Sequence, residues 1–339
     1  GLRKRDPRSN EAALKFFLIG ILSTAVMLYG MSLIYGLTGS LRLSEIATGL
    51  SETTEPLAVA AILFVVTGFA FKVSSVPFHF WAPDTYEGSP IPVAAFLSVA
   101  SKAAGFAGLL QIMFLGFRPL AESWTPVFAA LSVLTMTIGN LVALQQRQVV
   151  RLLAYSSVAQ AGYMLLPFAL VGLGSDPGAT NGLAFSSAVT YILIYAVMNL
   201  GAFGVVLALA REAPGALVSD FAGLGRRAPA LAISMAAFLL SLAGLPPLAG
   251  FWAKVFIFQA AIAADQVWLA VVMVVNSVIS LYYYVAIVRQ MFFVDLPEAR
   301  PLRVPATVTA VVTLAAVAVV TVGILPDLFA QFPPAATLP

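Results

Sequence analysis

The stretch SLAGLPPLAGFWAK, residues 241–254, decides the fold. It lies in an apolar run long enough to cross a bilayer, but it contains Pro246 and Pro247 and ends in Lys254. Proline removes a backbone hydrogen bond and breaks a helix, and hydrocarbon offers no water to replace that bond. Because a charged side chain at membrane depth is also costly, the stretch predicts an ion-translocating site rather than a passive anchor.

The composition is that of a membrane protein. Hydrophobic residues make up 60% of the chain and charged residues 10%, whereas a soluble domain carries about 25% charged residues. The chain has no cysteine and a single histidine, His79, so we expect no metal, haem or iron–sulfur site in it. No phosphate-binding glycine motif occurs. We expect no cofactor-binding site in this chain, contacts with lipids, and no nucleic-acid partner.

Nine apolar runs predict an all-α, polytopic protein with nine membrane spans. The seventh run is too long for one straight crossing, which needs about 20 residues, so it must be broken or strongly tilted. The second run begins near Pro56 and is interrupted by VPFHFWAPD, which contains Pro77. The other predicted spans cover residues 12–37, 92–115, 125–144, 149–170, 183–210, 230–263, 267–291 and 304–325.

Basic residues outside the spans collect on one side of this arrangement. Arg42 and Arg118 fall on the opposite side. Cytoplasmic loops carry an excess of lysine and arginine, so we expect the N-terminus of this chain to be cytoplasmic and the protein to lie in the inner (plasma) membrane. The collected residues are Arg3, Lys4, Arg5, Arg8, Arg147, Arg151, Arg211, Arg226, Arg227, Arg289, Arg300 and Arg303.

The four remaining lysines lie inside spans: Lys15, Lys72, Lys102 and Lys254. A lysine near a span end can reach water with its head group, and Lys15 can also pair with Glu11 one helical turn away. Lys102 is about ten residues from either end of its span, or about 15 Å by helical rise. Since desolvation favours the neutral form of an amine, such lysines can carry protons along a file of water.

Three other groups of polar residues have open interpretations. His79 lies in the break of the second span, where it is either a proton relay or an interfacial residue. The start of the fifth span is polar, which indicates either helix–helix hydrogen bonds or a wet half-channel; its residues are Tyr155, Ser156, Ser157 and Gln160. Tyr282, Tyr283 and Tyr284 are expected to pack at the membrane interface.

The two broken spans resemble each other. VPFHFWA at 76–82 and PPLAGFWA at 246–253 each place a proline shortly before Phe-Trp-Ala, in a span that carries a lysine. Paired discontinuous helices mark the transport site of transporters built from repeats. The pair therefore predicts a transporter-like architecture.

Seven segments resemble the subunit N family of proton-translocating NADH–quinone oxidoreductase, or respiratory complex I. They follow one another through nearly the whole chain. They are EAALKFFLIG (11–20), LYGMSLIYGLTGS (28–40), FKVSSVPFHFWAPDTYEGSPIPVAAFLSVASKAA (71–104), RLLAYSSVAQAGYM (151–164), YILIYAVMNLGAF (191–203), SLAGLPPLAGFWAKVFIF (241–258) and SVISLYYYVAIVR (277–289).

The resemblance implies an antiporter-like proton pump with inverted five-helix repeats. The family's central lysines correspond to Lys72 and Lys102 in a first half-channel and Lys254 in a second; Lys15 matches a further lysine, and Gln160 stands where sister subunits often have histidine. Residues 1–120 would be the second part of the first repeat, 121–292 the second repeat and 293–339 a C-terminal span. NADH, FMN, iron–sulfur clusters and quinone are expected on partner subunits of complex I.

The family also has helices before the first span of this sequence, and a glutamate on one of them pairs with the lysine at Lys72. Glu11 is not its counterpart, so we expect an N-terminal part to precede Gly1. Two alternatives stay open: a subunit of a multi-subunit Na⁺/H⁺ antiporter, which shares the fold, and a truncated scaffold subunit that does not pump.

Overall fold

The computed structural model describes residues 5–52, 56–295, 302 and 304–327. Four basic residues used for the predicted orientation, Arg3, Lys4, Arg300 and Arg303, lie outside the described residues. The described part is a bundle of helices. Its β-type pairing is a single bridge between Gln148 and Leu217.

The α-helices follow the predicted order of spans. We call the side of the bundle where the first helix begins the Pro7 side. The helices are α1 (Pro7–Thr38), α2 (Leu43–Ser51), α3 (Pro56–Val73), α4 (Trp81–Gly88), α5 (Ile91–Phe96), α6 (Lys102–Gln111), α7 (Ala121–Ala143), α8 (Val149–Leu165), α9 (Pro177–Leu209), α10 (Leu224–Arg227), α11 (Pro229–Ala243), α12 (Ala249–Ala263), α13 (Val267–Phe293) and α14 (Ala306–Ile324).

Eight segments of the described residues are long and apolar enough to cross a membrane. The shorter apolar helices α11 and α12, with 15 residues each, are the two halves of the seventh predicted span. The prediction of an all-α polytopic membrane protein is therefore confirmed. The breaks at Pro77 and at Pro246 and Pro247 lie between helices, as their sequences predict.

Polar side chains satisfy the backbone at the first break, between α3 and α4. The backbone N–H of Val76 donates to Thr135 Oγ1 on α7 over 3.1 Å, and the hydroxyls of Ser75 and Thr135 lie 3.0 Å apart. The indole of Trp81 donates to the carbonyl of Phe71 over 3.0 Å. Since unpaired backbone groups are costly in hydrocarbon, α7 and Trp81 hold this break in place.

The second break, between α11 and α12, depends on glycines. Gly244 ends α11 with a positive φ of 91°, a conformation that few other residues adopt. The backbone N–H of Gly250 donates to Ser241 Oγ over 2.9 Å. A Cβ on Gly250 would lie 1.9 Å from the carbonyl oxygen of Ser241. A Cβ on Gly323 of α14 would lie 1.9 Å from the carbonyl oxygen of Pro247. The two half-helices and α14 therefore approach one another more closely than side chains allow.

The third predicted span, residues 92–115, is not a single regular α-helix. A π-helical turn, Leu97–Ser101, separates α5 from α6, and a second one, Ile112–Gly116, follows α6. Two side chains of α9 bind the first turn at Ser98: the Tyr195 hydroxyl donates to its carbonyl over 3.2 Å, and the Asn199 amide to its hydroxyl over 2.8 Å. Single π-helical turns are often found at functional sites, and Lys102 is the next residue.

The close packing at the second break gives a prediction. Gly250→Ala should lower the thermal unfolding midpoint of the detergent-solubilised protein, because overpacking costs typically about 1–3 kcal/mol and the added Cβ collides with backbone.

Gly36→Ala is the matched control, because a Cβ there meets nothing within 4 Å and alanine favours the helix over glycine. Equal unfolding midpoints for the two variants would contradict the packing argument.

Candidate functional site

Lys102 is buried at the first turn of α6, with 1% of the residue exposed. Its Nζ donates to two oxygens of Ser157 on α8, the carbonyl at 2.7 Å and the hydroxyl at 2.5 Å. The hydroxyl can also donate, because a serine O–H is both donor and acceptor. The Ser157 carbonyl thus holds Lys102 in place, and the Ser157 hydroxyl is the group that can exchange a proton with it.

Lys254 lies in α12 with 7% exposure. Its Nζ donates to the carbonyls of Ala243 over 2.8 Å and Leu242 over 3.3 Å. These carbonyls end α11, where the helix dipole is negative and backbone acceptors lack helical partners. The ammonium also lies 4.7 Å from the centre of the Tyr163 ring, a cation–π distance. The lysine of the second break therefore stabilises the end of the half-helix before it.

Neither lysine has an acidic partner in the part of the chain that the structure describes. A buried charge without a counter-ion is costly, even when hydrogen bonds offset part of the desolvation. A cavity of about 280 Å³ lies beside Lys254, between the second break, α12 and α13. Both buried lysines therefore depend on hydrogen bonds to neutral oxygens rather than on a counter-ion.

Gln160 of α8 connects the Lys254 site to its neighbours. Its amide nitrogen donates over 3.1 Å to the Leu242 carbonyl, which also accepts from Lys254. Its amide oxygen accepts from the Tyr191 hydroxyl over 2.5 Å. Gln160 is fully buried, so all these groups form one hydrogen-bonded unit inside the bundle.

Tyr284 of α13 extends this unit towards the Lys102 site. Its hydroxyl lies 3.4 Å from Gln160 Nε2 and 2.5 Å from Ser156 Oγ. Ser156 precedes Ser157, which binds Lys102. Buried polar groups of α8 and α13 thus lie between the two lysines. We call Ser156, Ser157, Gln160 and Tyr284 the polar link.

The expectation that the three adjacent tyrosines pack at the membrane interface is wrong for two of them. Tyr282 is 72% exposed, whereas Tyr283 and Tyr284 are buried. The Tyr283 hydroxyl donates to Asn140 Oδ1 over 3.0 Å. Helical periodicity could have predicted this difference in burial, because consecutive residues of a helix point about 100° apart and cannot all face one surface.

Lys72 occupies the last turn of α3, and its side chain is exposed on the described structure. Its stem packs against α6, where a Cβ on Gly105 would lie 2.9 Å from Lys72 Cγ. The structure does not join Lys72 to the polar link. Of the two lysines assigned to the first half-channel, Lys72 packs against α6 and is exposed, whereas Lys102 belongs to α6 and is buried.

His79 lies in the first break and is buried, with its ring 4.6 Å from that of Phe80. Its Nδ1 has no hydrogen-bond partner among the residues that the structure describes. A buried polar atom without a partner usually indicates a water molecule. This environment differs from an interfacial position.

An ion cluster joins α1, α4 and α8 on the Pro7 side. Lys15 Nζ lies 2.6 Å from Asp84 Oδ2 and 2.5 Å from Glu11 Oε1, which confirms the predicted pair with Glu11. Arg151 binds Asp84 over 2.7 Å and Glu87 over 2.9 Å. Lys15 therefore also joins α1 to α4 through Asp84. The spacing between Lys15 and Glu11 does not predict this contact.

The ion cluster gives a second prediction. Asp84→Asn and Arg151→Gln should each lower the thermal unfolding midpoint, and a double-mutant cycle should give a coupling of about 1 kcal/mol or more, because contacting charged residues in a network are not additive.

The control is Glu45→Gln, which removes an exposed 3.5 Å pair with Arg42; such surface pairs contribute about 0–1 kcal/mol. Additive effects of the Asp84 and Arg151 variants would contradict the network.

The architecture is that of a polytopic membrane protein with proline-broken spans and buried lysines. Residues 1–280 match the family described as "NADH:quinone oxidoreductase/Mrp antiporter, TM". The chain belongs to this family. The predicted family resemblance is therefore confirmed.

Several relatives extend the match over most of the chain. NADH-quinone oxidoreductase subunit N 2 of Streptomyces griseus subsp. griseus is 48% identical over 310 residues, which are 89% of this chain and 57% of that protein. NADH-quinone oxidoreductase subunit N 1 of Koribacter versatilis is 43% identical over 335 residues, or 97% and 65% of the two chains. The chain thus spans about 57% to 65% of these relatives' length.

A solved structure has the same fold. A chain of respiratory complex I from Thermus thermophilus with bound aureothin superposes with a TM-score of 0.80 at 36% identity, covering 96% of this chain and 69% of that chain. The antiporter-like architecture of the family therefore extends to nearly all of this sequence.

Proposed function

We propose that the chain is part of a proton-translocating membrane subunit of NADH–quinone oxidoreductase. The observation that carries the proposal is the pair of buried lysines, Lys102 and Lys254, with the polar link between them. Both bind neutral oxygens, so each can alternate between charged and neutral forms. The similarity to relatives named subunit N supports the choice of complex.

In this proposal hydroxyl groups and water carry the proton from Lys102 to Lys254. Lys102 exchanges a proton with the Ser157 hydroxyl, and the hydroxyls of Ser156 and Tyr284 form the next hydrogen-bonded pair. Water bridges the steps from Ser157 to Ser156 and from Tyr284 to Lys254, because the Gln160 amide and the Leu242 carbonyl position these groups but do not carry protons. Hydroxyl groups carry protons by accepting one while donating another. Lys254 is the exit group, because it faces the cavity beside the second break.

The remaining site residues have supporting roles in this proposal. Lys72, which packs against α6, and His79, which lies in the first break, affect the protonation of Lys102 through their charge, whereas Lys15 acts through the ion cluster. No redox step occurs in this chain: NADH oxidation and quinone reduction take place on partner subunits that hold FMN, iron–sulfur clusters and quinone. Quinone reduction on those partner subunits changes the charge next to Lys102, where the proton transfer starts, and this change drives the transfer.

The Pro7 side is cytoplasmic in this proposal, and the protein crosses the inner membrane several times among lipids and other membrane subunits. Basic residues support the orientation. Arg42 and Arg118 lie on the other side, whereas the described residues near the Pro7 side are Arg5, Arg8, Arg147, Arg151, Arg211, Arg226, Arg227 and Arg289.

A subunit of a Na⁺/H⁺ antiporter is the second candidate, because the matched family includes Mrp antiporters. The polar link contains no carboxylate. Hard cations prefer carboxylate and carbonyl oxygens, so a file of amine, hydroxyl and amide groups suits protons better than Na⁺. Sodium transport without quinone dependence in a reconstituted assembly would favour the antiporter.

The function gives a third prediction. Lys254→Met and Lys102→Met, in the full-length protein within its complex, should each reduce proton pumping about tenfold or more, since a positioned proton carrier contributes roughly a hundredfold or more to rate.

The measurement is the initial rate of acidification of reconstituted liposomes, with Arg42→Gln as a control at an exposed position. An unchanged initial rate of acidification in both lysine variants would reject the proposal. Normal assembly with normal pumping in a variant lacking all four span lysines would support the scaffold alternative.

A further inference from the structure

A second cavity lies on the Pro7 side, away from the second break. Its volume is about 280 Å³, and it is enclosed by the end of α4, the segment before α5, the start of α8 and the end of α9. Its lining is mixed polar and apolar and includes Tyr86, Glu87, Gln148 and Arg211. Arg211 is exposed, so the cavity reaches the surface of the bundle. We call it the Tyr86 cavity.

Two buried polar atoms of its lining have no hydrogen-bond partner among the described residues. They are the Tyr86 hydroxyl and Gln148 Oε1, and Tyr86 is fully buried. Buried polar groups almost always bind protein groups or ordered water, and a water molecule occupies about 30 Å³ of liquid volume. The Tyr86 cavity has room for several water molecules and two groups that need them.

Tyr86 also faces the site of the first buried lysine. Its hydroxyl lies close to the Ser157 hydroxyl without making a direct hydrogen bond to it, and Ser157 Oγ accepts from Lys102 Nζ over 2.5 Å. Tyr86 therefore stands between the cavity and Lys102.

Tyr195 is the other tyrosine beside Ser157, but it differs in two ways. Its hydroxyl already donates to the Ser98 carbonyl over 3.2 Å, and it does not line the Tyr86 cavity. Of the two tyrosines, only Tyr86 both lines the cavity and has a hydroxyl without a hydrogen-bond partner among the described residues.

We propose that the Tyr86 cavity is a water-filled entrance through which protons reach Lys102, and that the Tyr86 hydroxyl is the carrier between its water and Ser157. The proposal rests on the proposed function and names its entry route. A hydronium ion in the cavity gives a proton to Tyr86 Oη as the Tyr86 proton passes to Ser157 Oγ. The Ser157 proton then passes to neutral Lys102 Nζ, and each hydroxyl keeps one proton.

Ring packing alone does not explain a tyrosine at this position. The Tyr86 ring lies edge-on to Trp81 and Phe203, with centroids 6.3 and 6.4 Å away. Phenylalanine would make both contacts and would leave no unpaired hydroxyl. Tyr86→Phe is therefore a test that removes the carrier and keeps the packing.

Tyr86→Phe in the full-length protein within its complex should slow proton pumping into liposomes by about tenfold or more, since a positioned proton carrier contributes roughly a hundredfold or more to rate. Tyr155→Phe is the matched control: its ring lies 5.9 Å from Arg151 Cζ on the same side of the bundle, and it does not line the Tyr86 cavity. Wild-type pumping by Tyr86→Phe would overturn the proposal.

Lys102→Met separates this proposal from the proposed function. If Lys102→Met abolishes pumping and Tyr86→Phe does not, the entrance is wrong and the function stands. If neither variant affects pumping, the proposed function fails as well.

A second measurement tests the water in the cavity even if Tyr86→Phe does not assemble. The chain has no cysteine, so Ala210→Cys places a single thiol in the cavity lining. The membrane-impermeant reagent MTSET, added from the Pro7 side, should modify this thiol and reduce pumping at least fivefold relative to the untreated variant.

Leu141→Cys, on an exposed apolar face, and the protein without introduced cysteine are the controls and should keep their rates. A dry cavity would leave Ala210→Cys unmodified, and modification without loss of pumping would show that protons enter elsewhere; either result would overturn the proposal.

Discussion

The ammonium of Lys254 bound to the last carbonyls of α11 is the interaction on which the second half of the bundle depends. Without it, the Ala243 carbonyl would lose its partner in a region where no water compensates it, and the Leu242 carbonyl would keep only Gln160. The bound carbonyls also give the buried charge a favourable field, because they form the negative end of a helix. One contact therefore stabilises the break and holds the proton site.

At the first break, neutral side chains rather than a lysine satisfy the free backbone groups. Thr135 and Trp81 satisfy its backbone, and the nearest buried lysine, Lys102, binds a different helix altogether. Trp252, the counterpart of Trp81 in the sequence repeat, donates to Gly323 of α14 instead. The two halves thus share a proline break but differ in which groups stabilise it. Lys254 lies at the second break, whereas Lys102 lies beside a π-helical turn and away from the first break.

Much of the fold follows from local sequence. The length of the apolar runs predicts the spans, and Pro77, Pro246 and Pro247 predict the breaks. The lysines stand out because a charge in hydrocarbon is costly. The sequence did not predict the π-helical turn before Lys102, because the contacts that stabilise this turn come from Tyr195 and Asn199, about 100 residues further along the chain.

The sequence by itself determined that this is a membrane protein with broken helices and buried cations, since those properties depend on composition and on residues close in the chain. The tertiary structure alone decided which polar groups meet. The stretch at 151–164 offered several hydroxyls and an amide, and only packing against α9, α11 and α13 selected Ser157 for Lys102 and Gln160 for the Leu242 carbonyl. Such contacts depend on helix rotation and approach, which local periodicity does not encode.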